Sequence, residues 1–401
     1  MKSTKVFIAG KGVISAIGNN VAENLASLRG GNSGVAKITI LPTRYAETLP
    51  AAEVKLTNAE LAELAGLEAC VSRTALLSMI AAREALQSAN ISDINKWRMG
   101  FISANTVGAM DKTETIYKEY LKDDQADALL EEINYDSGFI TEIVARKLGI
   151  KDHITTISTA CSSSANSIAY GSRMIKNGLL DIVLAGGTDS MSRFTLNGFN
   201  SLMILDSKPC TPYDENRMGL NLGEGAGYVV LVSERVAETL AKKPGIVVNG
   251  YANANDAFHQ TASSPEGKGN FLAMTGALEM SGLQPGDIDY INLHGTGTSN
   301  NDLSEGNAIQ RIFDKVPMVS STKPYTGHTL GACAGIEAVY SMLAIENGIV
   351  FPNLRFKTQI KEHRFAPVTE LKENVEVNNV MSNSFGFGGN CSSVIISKYN
   401  D

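Results

Sequence analysis

The sequence predicts a layered α/β fold made of two similar halves. Three observations carry that expectation: short Val- and Ile-rich runs alternate with helical patterns, glycines mark the ends of those runs, and two kinds of segment occur twice in the same order. Short apolar runs bounded by glycine suit buried strands, and helices between them suit a layered α/β arrangement.

In chain order the apolar runs are KVFIAG, MGFISAN, DIVLAGG, AGYVVLVS, IDYINLHG and SSVIISK, each predicted as a strand. The 37 glycines cluster at strand ends, where tight turns need them. The first repeated unit pairs TTISTACSSSANSIAYGSRMI with MVSSTKPYTGHTLGACAGIEAVYSML, each a short strand, a polar turn and a helix of small residues. The second pairs NLGEGAGYVVLVSE with GFGGNCSSVIISKYN, each a Gly-rich loop feeding a strand. The repeats divide the chain into residues 1–240 and 241–401, meeting near ERVAETLAKKPGIVVNGYA. No Pro-rich or Ser-rich linker separates the halves, so they are expected to pack as one body.

Composition narrows the functional classes. With 401 residues, 43% hydrophobic and 19% charged, the chain has an ordinary globular balance and is too long for one simple core. A net charge of -7 argues against nucleic acid as a partner. No apolar run approaches the roughly 18 residues of a membrane span. The start, MKSTKVFIAGKGVISAIG, is broken by Gly and Lys and lacks the apolar core of a secretory leader. The five cysteines (Cys70, Cys161, Cys210, Cys333, Cys391) are scattered and form no CxxC pair. Neither a zinc site nor a disulfide framework is expected, and a cytoplasmic setting fits.

Cys161 follows the strand-like HITTIS, and Ala165, Ile168, Ala169, Ser172 and Ile175 after it share one helical face. That places Cys161 at a helix start, where unpaired N–H groups and the helix dipole favour a thiolate and lower a thiol pKa. A buried, inert thiol is the alternative. Of the five histidines, His294 (INLHGTGTSNND) and His328 (STKPYTGHTLGACAG) fall in turns after strand patterns, where α/β folds place ligands. His328 stands in the turn that matches Cys161 in the other half. His259 lies in a polar stretch, and His153 and His363 sit beside charged residues as expected surface positions. Lys323 and Glu337 flank His328, either as a buried pair biasing its protonation or as a surface ion pair. The loop NSFGFGGNC offers backbone N–H groups for an oxyanion hole. LGEGAG precedes a strand instead of following one, which argues against a dinucleotide site.

Together these segments resemble the β-ketoacyl-acyl-carrier-protein synthases of the I/II type, within the thiolase-like superfamily. The resemblance spans nearly the whole chain and rests on STACSSSANSI, HGTGTSNND, KPYTGHTLGACAGIEA and NSFGFGGN, in that order. It implies a five-layer αβαβα architecture of duplicated halves, usually a homodimer, with a heterodimer of related subunits as the other arrangement. It implies Cys161 as the nucleophile that takes an acyl chain from a carrier-protein thioester. His294 and His328 would assist malonyl decarboxylation and stabilise the enolate, with Lys323 and Glu337 supporting them. Thr296 and Thr298 match pantetheine contacts. Phe387 matches a gate whose N–H joins that of Cys161 in the oxyanion hole, while Val107 and Phe199 match the acyl channel. Asp302 and His259 match supporting polar positions. No metal or redox cofactor is implied, only the phosphopantetheine of the acyl carrier protein.

The sequence departs from the family pattern at Asn390-Cys391 after FGFGG, at Ser299 after HGTGT, and in GLEACVSR, which offers only Arg73 to a carrier protein. The short ACSSSANSI form also occurs in synthases of specialised polyene or polyketide pathways. A thiolase would bring a second Cys in a CxGG-type loop, and a synthase III would pair His with Asn. A chain-length-factor subunit typically lacks the nucleophile that this chain keeps.

Overall fold

The computed structural model describes residues 5–399 except 69–70, 92 and 123–135, so Cys70 lies outside the described residues. The strands are β1 Val6–Ser15, β2 Met99–Ala104, β3 His153–Ile157, β4 Ile182–Asp189, β5 Gly225–Ser233, β6 Ile246–Asn255, β7 Tyr290–Asn292, β8 Met318–Ser320, β9 Ile349–Val350, β10 Lys372–Glu373, β11 Asn379–Phe385 and β12 Asn390–Lys398. Each of the six apolar runs forms all or part of a strand. β9 and β10 make a separate two-stranded ladder, and the other ten run in the order β3-β2-β4-β5-β1-β6-β12-β11-β7-β8.

That order repeats. In each set of five, from its outer edge inward, it is the third, second, fourth, fifth and first strand of the set. Directions repeat as well: β2 is parallel to β3 and β4, and β7 to β8 and β11, while β5 and β12 run antiparallel to both neighbours. The two sets are joined along β1 and β6, through the pair Phe7 and Val247.

Side-chain alternation along the strands builds the layers. Val183, Ala185, Val229 and Leu231 of the first set, with Val380, Val394 and Ile396 of the second, pack into one core. Helices Ser163–Lys176 and Cys333–Asn347 contribute Ile168, Ile175, Ile336 and Val339 to that same core. The opposite face of the first set (Ile182, Leu184, Tyr228, Val230) packs on helices Asn58–Ala65, Arg73–Ser88 and Ser137–Leu148. Ile291, Met381 and Ile395 of the second set pack on helices Lys268–Ser281 and Ser299–Ile312. The result is the expected five-layer αβαβα arrangement, with the two repeated strand–turn–helix units supplying the central helices. Helix Cys333–Asn347 crosses β5 in backbone contact: a Cβ on Gly227 would stand 2.4 Å from the Ile336 nitrogen. The glycines of LGEGAG therefore serve close packing. Among the described residues no helix is long and apolar enough to cross a membrane.

Two surface expectations fail. His363 is buried, stacked on Phe365 with ring centroids 5.3 Å apart, because the chain folds it against the Ser299–Ile312 helix. Arg73 is buried too, with its guanidinium on Glu224 at 2.7 Å, so it is no surface cation for a carrier protein.

Candidate active site

Cys161 sits between β3 and the helix Ser163–Lys176, after Ala160, which takes the left-handed conformation with φ 53°. The helix start is where the sequence placed it, and its predicted inner face is buried: Ala165, Ile168, Ala169, Ser172 and Ile175. The thiol itself is enclosed, with the residue only 7% exposed. Burial pushes its pKa up to about 11, against the opposing Lys323 charge and the backbone N–H groups of Phe387 and Cys161 that bear on the sulfur. The lowering expected from the helix start is thus outweighed by desolvation. One expected result follows. Alkylation of Cys161 by iodoacetamide, followed by mass, should keep accelerating as the pH rises from 7 to beyond 9; a plateau below pH 8 would mean that the thiol is already ionised at rest.

Both histidines reach Cys161 from the other half. His328 follows the short helix Lys323–Thr326 and is held in strand-like pairing: its N–H donates to the Asn221 carbonyl at 2.7 Å, and its carbonyl accepts from Gly223 at 3.0 Å. Its Nε2 lies 3.1 Å from the Cys161 sulfur. Its Nδ1 accepts the Leu330 N–H at 3.1 Å, so the neutral ring carries its proton on Nε2 and aims it at the sulfur. His294 follows β7, its ring 5.4 Å from that of His328 and at 85° to it. Its N–H and that of Gly295 donate to the two oxygens of Glu305, each at 2.9 Å. No local motif marks Glu305, which comes from the helix Ser299–Ile312. Burial pushes its pKa up to about 7, against those bonds.

Behind the histidines, the Lys323 Nζ lies 2.7 Å from Glu337 Oε1, and both side chains are buried, which decides for the interior pair over the surface one. Burial presses Lys323 toward neutrality, but the groups around it, Glu337 foremost, together outweigh that and hold the ammonium charged. Burial first, then that ammonium, hold both imidazoles well below their ordinary pKa of 6.5. The Cys161, His294 and His328 donor atoms all lie within 4.8 Å of one another, a set that zinc could use by chemistry alone. The buried ammonium beside them opposes a further cation.

A cavity of about 260 Å³ leads to this group, lined among others by Phe199, Met218, Thr296, Thr298 and Phe387. Phe199 and Phe387 stack with centroids 5.9 Å apart, and the Thr296 and Thr298 hydroxyls lie 2.9 Å from each other. Asp302 is buried beneath the turn and accepts the N–H groups of Thr296, Gly297 and Tyr213. Two expected residues fall outside the lining. Val107 is half-buried in an apolar cluster with Phe199, and His259 is exposed, its Nδ1 accepting the Thr261 N–H.

Sequence models of the β-ketoacyl synthase N-terminal and C-terminal domains match residues 3–237 and 245–357. The 3-oxoacyl-[acyl-carrier-protein] synthase 2 of Staphylococcus aureus (strain N315) is 32% identical over 413 residues, covering 99% of each chain. The protein of the same name from Rhizobium meliloti (strain 1021) is 31% identical, covering 98% of this chain and 99% of its own. Among solved structures, the ishigamide ketosynthase/chain length factor superposes with a TM-score of 0.92 at 30% identity, covering 99% of this chain and 100% of its own. The ketosynthase ApeO in complex with its chain length factor ApeC, from Xenorhabdus doucetiae, gives a TM-score of 0.84 at 29% identity, with 99% and 98% covered.

Proposed function

The chain belongs to the β-ketoacyl synthase family, and from that premise we propose how its residues carry the family's reaction. It is an acyltransferase of the 3-oxoacyl-acyl-carrier-protein synthase type, condensing an acyl chain with malonyl-acyl-carrier protein in fatty-acid synthesis. The observation that carries the assignment of roles is the thiol with two neutral imidazoles beside it at the end of one cavity.

In the first half-reaction the Cys161 sulfur attacks the carbonyl of an acyl-carrier thioester. The carrier sulfur leaves and takes up a proton as the thiol proton is lost, so one thioester replaces another at little cost. The N–H groups of Cys161 and Phe387 bear on the sulfur and would receive the oxyanion of that exchange. In the second half-reaction malonyl-carrier protein releases carbon dioxide, leaving an enolate on the thioester oxygen. The Nε2–H of His328 and the ring of His294 stabilise that oxygen. Both rings are neutral, so they donate hydrogen bonds without being strong acids toward the carbon. The enolate carbon then attacks the acyl group on Cys161, and the sulfur leaves and regains a proton.

Burial first and then Lys323 keep both rings neutral, and Glu337 holds Lys323. Thr296 and Thr298 receive the pantetheine arm, Asp302 holds the turn that carries them, and Phe199 and Phe387 close the mouth. The acyl carrier protein with its phosphopantetheine is the partner, and no resident metal or redox group is needed. Residues 1–240 supply the nucleophile, and 241–401 the histidines and the Gly-rich loop. The likeness to a ketosynthase/chain length factor at a TM-score of 0.92 favours a second setting, the same condensation in a polyene or polyketide pathway, with a related subunit as partner instead of a second copy. The test is incubation with malonyl-carrier protein and acyl-carrier proteins, saturated or conjugated, with products read by mass. A 3-oxoacyl product two carbons longer supports the reaction. Turnover of saturated chains assigns fatty-acid synthesis, turnover of conjugated chains alone assigns the specialised pathway, and no product from either contradicts both.

A further inference from the structure

We propose that Asp189 is a positioning residue for His328, joining the turn that carries this histidine to the loop after β2. The proposal rests on the reading of His328 given above. Asp189 ends β4 and is fully buried. Its carboxylate takes three bonds from the loop after β2: Thr106 N–H at 3.0 Å, Thr106 Oγ1 at 2.7 Å and Val107 N–H at 3.3 Å. On its other side it accepts the Gly331 N–H at 2.7 Å. All these donors are neutral, so the interior carboxylate is costly, and burial pushes its pKa up to about 6 despite the four donors.

The Gly331 bond reaches His328 through a single residue. Leu330 has φ 53°, a left-handed conformation that is strained for a side-chain-bearing residue. In that conformation its N–H meets His328 Nδ1, the contact that leaves the ring proton on Nε2 facing Cys161. Asp189 holds the next peptide, at Gly331, and so holds Leu330 in its strained state. Gly331 leaves room for this: a Cβ there would stand 2.8 Å from Asp189 Oδ2 and 3.0 Å from Thr106 Cγ2. The Leu330 side chain packs in the same apolar cluster as Val107 and Phe199, so the two loops meet through side chains as well as through the carboxylate. Without Asp189, Leu330 relaxes, its N–H turns away from Nδ1, and the proton on His328 is shared between the two nitrogens.

The test is ¹⁵N NMR of histidine-labelled protein, with His328 assigned by its loss in His328→Ala, alongside malonyl-decarboxylation kinetics. The wild type should show His328 protonated on Nε2. Asp189→Asn, which keeps the shape but turns one acceptor into a donor, should give a tautomer mixture and lower kcat about tenfold with KM unchanged, the loss expected for one hydrogen bond to a charged group. Thr106→Val, which leaves the Gly331 bond in place, should keep the wild-type tautomer even if it destabilises the fold equally. If Asp189→Asn does not fold, Asp189→Glu, with its oxygens moved by a methylene, takes its place with the same expected mixture. A folded Asp189 variant with the wild-type tautomer and kcat overturns the proposal. A wild type with no decarboxylation refutes the functional reading instead, and the tautomer still decides the role of Asp189.

Discussion

His328→Ala is expected to lower malonyl decarboxylation by about 10²–10³-fold, the usual loss for one donor to an oxyanion, while Cys161 still accepts an acyl chain. The Nε2–H of His328 is 3.1 Å from the sulfur and fixed in tautomer by Leu330, so the variant removes a preorganised donor and leaves the nucleophile in place. His294→Ala should show the same division, since its ring stands 5.4 Å from that of His328 at the same end of the cavity. Measuring carbon dioxide release and acyl-enzyme mass on the same samples separates the two half-reactions. Normal decarboxylation in the double variant would rule out an enolate held by these rings.

Lys323→Ala should damage both stability and chemistry. It strands Glu337, which is buried and loses its ion-pair partner, at a cost of about 3–5 kcal/mol in urea unfolding. It also alters the pH profile. Burial and then the Lys323 charge hold both histidines well below 6.5 in the wild type, so their neutral state and the decarboxylation rate should stay level as the pH falls from 8 to about 6. The linkage has a definite sign. A histidine depressed in the folded state binds more protons when unfolded, so wild-type stability falls as the pH drops below 6.5 toward the folded-state pKa. Without the ammonium both values rise part of the way back to 6.5. The stability slope in that window should shrink, and the residual rate should fall on acidification at a higher pH than in the wild type. A variant whose rate profile overlays the wild type would show that the charge does not act on the rings.

The chemistry-bearing groups were legible where a short motif holds both the residue and its turn. STACSSS carries the helix start at Cys161, HGTGT the turn under His294, and KPYTGH the short helix that leads from Lys323 to His328. The repeated segments likewise disclosed two similar halves, because each half reuses one strand–turn–helix unit; the doubled strand order itself is a finding of the structure. What the sequence hid depends on contacts between distant segments. Glu305 holds the His294 turn from the following helix, and Asp189 reaches Gly331 from the end of β4, neither with a local pattern to mark it. The enclosure of the Cys161 thiol is hidden for the same reason. Its helix start is local, but the groups that enclose it come from the His328 turn and the Phe387 loop, and their desolvation outweighs the dipole. Arg73 reads as an exposed cation until Glu224, 151 residues further along the chain and just before β5, is seen to bury it.

The central claim is that Cys161 carries the acyl chain. The direct measurement is intact-protein mass after incubation with an acyl-carrier thioester, followed by peptide mapping. The expected result is one added acyl group, mapped to Cys161 and lost in Cys161→Ser. An adduct on Cys210, Cys333 or Cys391, or one that survives in Cys161→Ser, would contradict it.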